Sequence, residues 1–155
     1  MSMVASGAGM AQLGAPVDLQ HGNFVPEEWL ITATIPALTP ANTQTTATAS
    51  RGAGQGQLQT LQGPGDEFWS LEGVYSYGQV PSPDVQLVIN SNGSNQPFTV
   101  LFSSVLQTNY ARPGLTTAWT FSPASTLSFA MSNIGTVGAS PIQVTFKAKI
   151  ARYRP

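Results

Sequence analysis

The last fifteen residues, 141–155, read PIQVTFKAKIARYRP. From Ile142 to Ile150 they alternate without a break, with Ile142, Val144, Phe146, Ala148 and Ile150 on one side and Gln143, Thr145, Lys147 and Lys149 on the other. A period of two is the mark of a strand with one face on a core and the other toward solvent. The same stretch holds four of the chain's six cations: Lys147, Lys149, Arg152 and Arg154. Lys147 and Lys149 fall on the face opposite Phe146, and Arg152 and Arg154 are expected just past the end of the strand.

Working upstream, the same period recurs. EWLITATIP places Trp29, Ile31, Ala33 and Ile35 on one face and Leu30, Thr32 and Thr34 on the other. TQTTATAS (43–50) is polar and β-branched, which suits an exposed strand. The Gly-rich RGAGQGQLQTLQGPGD (51–66) reads as loop with one short strand over 57–61. EFWSLEGVYSYG predicts Trp69, Leu71, Gly73, Tyr75 and Tyr77 on one face against Phe68, Ser70, Glu72 and Val74. DVQLVIN (84–90) and PFTVLFSSVLQ flank SNGSNQ, an Asn-Gly hairpin signal in a slightly long loop. ARPGLTTAWTFSP reads as a turn at Pro113–Gly114 followed by a strand, and STLSFAMSN puts Leu127, Phe129 and Met131 on one face. Apolar residues at helical spacing never persist beyond two turns, so no helix is predicted. About eight strands with Gly, Pro, Asn and Ser between them indicate an all-β antiparallel sandwich or barrel over 28–155. Residues 1–27, small and aperiodic, read as an extended N-terminal arm.

Composition narrows the class. Charged residues make up 8% of the chain, against about 25% in ordinary soluble domains. The net charge is −1 over 155 residues, which gives no bulk attraction for a polyanion and favours self-association. The chain contains no cysteine, so disulfides, thiolate metal sites and cysteine nucleophiles are excluded. The opening MSMVASGAGMAQLGAP has neither a basic n-region nor a long apolar segment and does not read as a signal peptide. No run approaches the ~18 apolar residues of a membrane-spanning helix.

The chemistry-bearing residues are sparse. His21 is the sole histidine, so an imidazole triad or a histidine-rich metal site has too few partners. The seven carboxylates are Asp18, Glu27, Glu28, Asp66, Glu67, Glu72 and Asp84. Glu67 and Glu72, five apart on one strand, face opposite ways, and Asp66 and Glu72 are about 20 Å apart along it. A cross-strand pair such as Glu72 with Asp84 is the arrangement left for glycosidase-type chemistry. GPGDE and NSNGSN carry oxygen ligands without an EF-hand spacing and read as turns. The glycine-rich loops are followed by no Lys-Ser/Thr pair, so they are not phosphate-binding loops. Trp29, Trp69, Tyr75, Tyr77 and Trp119 make either core layers or a sugar-stacking platform, and their alternation favours the core. Lys147, Lys149, Arg152 and Arg154 are the candidate partner interface: they guard an exposed sheet or dock on an acidic protein patch, in preference to nucleic acid. No catalytic, cofactor-binding or metal-binding residue is assigned.

A low-charge, cysteine-free β-domain after a small-residue arm resembles the jelly-roll cement, or decoration, proteins of tailed bacteriophages. FWSLEGVYSYG, DVQLVINSNGS, AWTFSPASTLSFAMSNIG and PIQVTFKAKIARY carry that resemblance as consecutive long strands of a viral-type jelly roll. The resemblance implies a non-enzymatic virion protein without cofactors, made in the host cytoplasm and located on the capsid surface. It implies bridging of major capsid protein subunits by a dimer or trimer, with no direct nucleic-acid or membrane contact. The alternative is a receptor- or carbohydrate-binding β-module of a fibre or cell surface, using Trp or Tyr stacking and the amides of Asn90, Asn92 and Asn95.

Overall fold

The two most strictly alternating segments pair with each other. In the computed structural model, which describes residues 24–52, 55–93, 96–106 and 119–154, strand β1 (Phe24–Ile35) lies antiparallel to strand β9 (Ile142–Tyr153) over its whole length, from Phe24 opposite Tyr153 to Ile35 opposite Ile142. Their inward residues meet as matched pairs, Ile31 on Phe146 and Ala33 on Val144. Ile31 and Phe146 are fully buried, and each such side chain contributes about 1.5–3 kcal/mol relative to exposure. Residues 24–27, assigned to the arm from sequence, are the first four of β1. Residues 1–23 lie outside the described residues.

Between these two strands the chain forms β2 (Gln44–Ser50), β3 (Thr60–Gln62), β4 (Phe68–Ser76), β5 (Val85–Ser91), β6 (Phe98–Leu101), helix α1 (Phe102–Leu106), β7 (Trp119–Phe121) and β8 (Thr126–Asn133). Every pairing is antiparallel, and the main path runs β6-β5-β8-β2-β1-β9-β4-β7, with β3 also on β8. β2 turns the corner: its first half, Gln44–Ala47, pairs with β8, and Thr48–Ser50 pair with β1. The sheet therefore curls, and its inner face encloses one core in which Trp29 of β1 meets Phe129 of β8 edge-on at 6.3 Å.

The pairings are nested. β1 pairs with β9, β2 with β8, β4 with β7 and β5 with β6. Short β3 aside, that is the order of a chain doubled back on itself as one long ribbon. The ribbon is then wound so that β4 lies beside β9 and β5 beside β8. The Asn-Gly signal turns the β5–β6 end, where Asn92 and Gly93 have φ of 53° and 70°, as tight hairpin turns require.

Two expectations are corrected. A β-bulge between Leu71 and Gly73 shifts the register of β4 on β9. An extra residue reverses the side-chain parity beyond it. Val74 is therefore fully buried, Tyr75 is only partly so and Tyr77 is exposed, the reverse of the predicted faces. The apolar run after Pro97 also does not stay extended. It leaves β6 after Leu101 and closes one helical turn, too short to show helical periodicity, with the Ser103 N–H and hydroxyl donating to the Asp84 carboxylate at 3.2 and 2.5 Å. The turn expected at 113–114 lies outside the described residues.

Charge is unevenly shared among the described strands. β1, β9 and β4 are neighbours and carry Glu27, Glu28, Glu72, Lys147, Lys149 and Arg152. The sequences of β2, β3, β5, β6, β7 and β8 contain no charged residue.

Candidate functional site

The largest concentration of chemistry lies where β9 ends, and it starts from parity. Arg152 continues the inward series 146, 148, 150, so its side chain enters the core face instead of leaving the strand. In register it lies between Val25 of β1 and Trp69 of β4. Each flanking strand brings the same three-residue pattern, Glu-x-Trp, as Glu27–Trp29 and Glu67–Trp69. Residues two apart on a strand share a face, so each indole N–H donates to the carboxylate beside it, at 2.8 Å for Trp29 to Glu27 and 2.9 Å for Trp69 to Glu67. The two indoles meet edge-to-face at 5.0 Å.

Arg152 joins the two brackets. Its Nε and one terminal nitrogen donate to both oxygens of Glu67, at 2.8 and 2.9 Å, and its other terminal nitrogen donates to Glu27 at 2.8 Å. Arg51, at the end of β2, takes Glu27 from the far side with two bonds of 2.9 and 3.1 Å, and its guanidinium stands 5.0 Å from the Trp69 ring centre. Arg154 adds 3.3 Å to Glu67 and 3.2 Å to Asp66. The result is an alternating chain, Arg51–Glu27–Arg152–Glu67–Arg154–Asp66, with no net charge.

The carboxylates of this chain are held ionised. Burial pushes the Glu27 carboxyl up, but donors from Arg51, Trp29 and Arg152 outweigh it and hold the group below its usual value. For Glu67 the bond from Arg152 comes first and outweighs burial, with Trp69 adding to it, so it too is depressed. Glu67 bonding likewise raises Arg152 well above the ordinary arginine range. Two depressed carboxylates saturated by guanidinium are poor proton donors at neutral pH. What the arrangement does is mechanical: it ties β1, β2, β4 and β9 together at one end of the core.

The four cations singled out from sequence thus divide. Arg152 and Arg154 belong to the chain above, and Arg152 is inside β9 and not past it. Lys147, on the outer face, reaches Glu28 at 3.4 Å and stands 4.9 Å from the centre of the Tyr77 ring. Bonding to Tyr77, with Glu28 nearby, raises its basicity despite some burial. Lys149 is on the exposed side of β9. Trp29 and Trp69 are buried and take no part in a surface platform. A cleft of about 260 Å³ does open beside Tyr77, lined also by Glu28, Leu30, Arg51, Gly52 and Lys147. The Glu72 carboxylate accepts from the Ser70 hydroxyl at 2.7 Å, and Asp84 accepts from Val85 and Ser103. Asp18, His21 and Asn95 are outside the described residues, as is the Trp119 side chain. Among the described residues, no three His, Cys, Asp or Glu side chains gather as metal ligands.

Sequence reading missed Arg51, Glu27 and Glu67 as one unit. The signal was present in the repeated Glu-x-Trp, with the two copies forty residues apart and the arginine between them supplied by a third strand. No known protein-family model matches the chain, and no curated protein matches it.

Proposed function

We propose that the chain is a jelly-roll capsid cement protein, a non-enzymatic virion component that seats on the capsid surface and bridges major capsid protein subunits. The observation that carries this reading is the nested winding of the ribbon, with β1-β9-β4-β7 as one run of neighbours and β2-β8-β5-β6 as the other. Two four-stranded runs from one doubled-back ribbon are how jelly rolls of viral capsid and lectin domains are built. The neutral surface supports the same reading, because many modest uncharged contacts repeated over a shell become durable through multivalency. In this role the ion-pair chain closes one end of the subunit against mechanical load, and the subunit acts as a homo-oligomer with no direct contact to nucleic acid or membrane.

The test is co-sedimentation with shells assembled from the cognate major capsid protein. Binding to expanded empty shells but not to unexpanded precursors is expected; equal binding to both, or to neither, overturns the reading.

Tyr77 supports a second reading, a carbohydrate- or receptor-binding module. It is an exposed aromatic in a cleft with a carboxylate and two cations. Against it, the Lys147 ammonium already stands by the ring a sugar would stack on. Glycan binding lost in Tyr77→Ala would favour this module over the cement protein.

A further inference from the structure

One exposed turn carries covalent chemistry of its own. Asn92-Gly93, the single Asn-Gly pair in the sequence, follows the end of β5, and both residues are exposed. In this dipeptide the glycine's backbone nitrogen can attack the asparagine's amide carbon, because the glycine has no side chain to stand in the way. A Cβ added at Gly93 would meet nothing within 4 Å, so no neighbouring group shields the turn either.

The reaction balances with water as the sole co-reactant. The Gly93 nitrogen gives up its proton and bonds to the Asn92 Cγ, the Cγ–Nδ2 bond breaks, and Nδ2 leaves with that proton as ammonia. The succinimide ring so formed then takes up a water molecule and opens to aspartate or to isoaspartate. The leaving nitrogen is not tied down: Nδ2 makes no hydrogen bond among the described residues.

The fold adds a catch. The register of β5 on β8 runs to Ser91 opposite Leu127, and Asn92 carries it one step further, onto Thr126 at the start of β8. The Asn92 N–H donates to the Thr126 carbonyl, and the Thr126 N–H donates to the Asn92 Oδ1, both at 2.8 Å. The left-handed backbone of Asn92 and Gly93, with φ of 53° and 70°, is one that these two residue types adopt readily. Ring closure requires Cγ to swing onto the next nitrogen of its own chain. While Oδ1 is held by the neighbouring strand, Cγ stays turned toward β8.

We propose that Asn92 is the site of spontaneous deamidation in this chain, and that its two bonds to Thr126 hold the reaction back until the turn opens. Aspartate at this position keeps an acceptor for the Thr126 N–H and places a negative charge beside strands that have none. Isoaspartate, with one more carbon in the backbone, cannot keep both bonds and releases the turn from β8. The inference is independent of the functional reading above and needs no shell.

Peptide mapping by mass spectrometry tests it, after incubation of the full chain in mildly alkaline buffer with and without urea. Amide loss is expected at Asn92 ahead of every other asparagine. It should be at least about tenfold faster in urea, where two hydrogen bonds no longer have to open first. Gly93→Ala, measured in urea so that folding plays no part, should slow the loss, because a methyl group then stands beside the attacking nitrogen. In buffer, Thr126→Pro removes the N–H that holds Oδ1 and should raise the folded rate toward the urea rate. Thr126→Val keeps that N–H and should leave the rate as it is. Proline is tolerated at the first residue of a strand, and a melting curve shows that the variant is folded; if it is not, the wild-type comparison with and without urea decides. Loss first at another asparagine, equal rates with and without urea, or a folded Thr126→Pro with the wild-type rate would each overturn the inference.

Discussion

The two runs of the wound ribbon solve the same packing problem differently. In β1, β9 and β4 the core face ends in arginine and glutamate; in β2, β8, β5 and β6 it is uncharged, and apolar but for the buried Asn133 at the end of β8. Leu87, Ile89, Leu127, Phe129 and Met131 close the second run by burial alone. In the first, two tryptophans reach the end of the core and carry polar N–H groups that need acceptors. Glutamates two residues upstream satisfy them, and those glutamates in turn need cations. Each group in the chain is there because of the one before it, and the difference predicts how each run fails.

The largest effect is expected at Arg152. Arg152→Leu leaves Glu67, 4% exposed, without its main partner and should cost about 3–5 kcal/mol in urea unfolding, as broken buried pairs do. Replacing both groups, Arg152→Leu with Glu67→Gln, should recover much of that loss, because the amide oxygen still accepts from the Trp69 N–H and no charge is left to desolvate. If the double variant is no better than the single, the arginine acts by something other than neutralising Glu67.

Next comes Phe129→Ala in the uncharged run. It removes a buried ring that meets Trp29, and a loss of about 3 kcal/mol is expected from the cavity left behind. This loss should be the same at low and high salt, whereas the Arg152 effect should shrink slightly, because salt reaches the partly exposed Arg51 and Arg154 but only weakly the buried Glu67. Equal salt dependence would erase the distinction between the two runs.

Smallest is Lys147→Ala. The Lys147–Glu28 pair is solvent-facing and the Tyr77 contact is a single cation–π interaction, so thermal unfolding should report less than about 1 kcal/mol. A larger loss would make Lys147 a structural residue on a par with Arg152.

Legibility followed the same division. Strands whose whole role is apolar alternation could be read directly, as with Leu127, Phe129 and Met131, or Ile142 to Ile150. The faces of β4 could not be read past Glu72, because a bulge inserts one residue without a sequence mark strong enough to place it. Arg152 looked like a residue outside the strand because a charge on a core face contradicts the simple pattern. Its position makes sense only once Glu27 and Glu67 are known to flank it, and that needs the register of three strands at once. Leu38 was equally hidden: nothing in PALTPANT (36–43) distinguishes it from an ordinary loop leucine until its left-handed backbone and its exposure are known.

The pH dependence of urea unfolding for wild type and Arg152→Leu tests the arginine-centred account most directly. Glu27 and Glu67 are depressed in the fold, so the folded wild type binds fewer protons than the unfolded chain. Its stability is full above the ordinary carboxylate value of 4.5 and falls as pH drops below it toward the depressed values. In the variant, Glu67 keeps only the Trp69 N–H and Arg154 against burial, so its depression is weakened and acid costs the variant less than the wild type. The gap between the two proteins should therefore narrow steadily on acidification. A gap of constant size from neutral to acid pH would contradict the account.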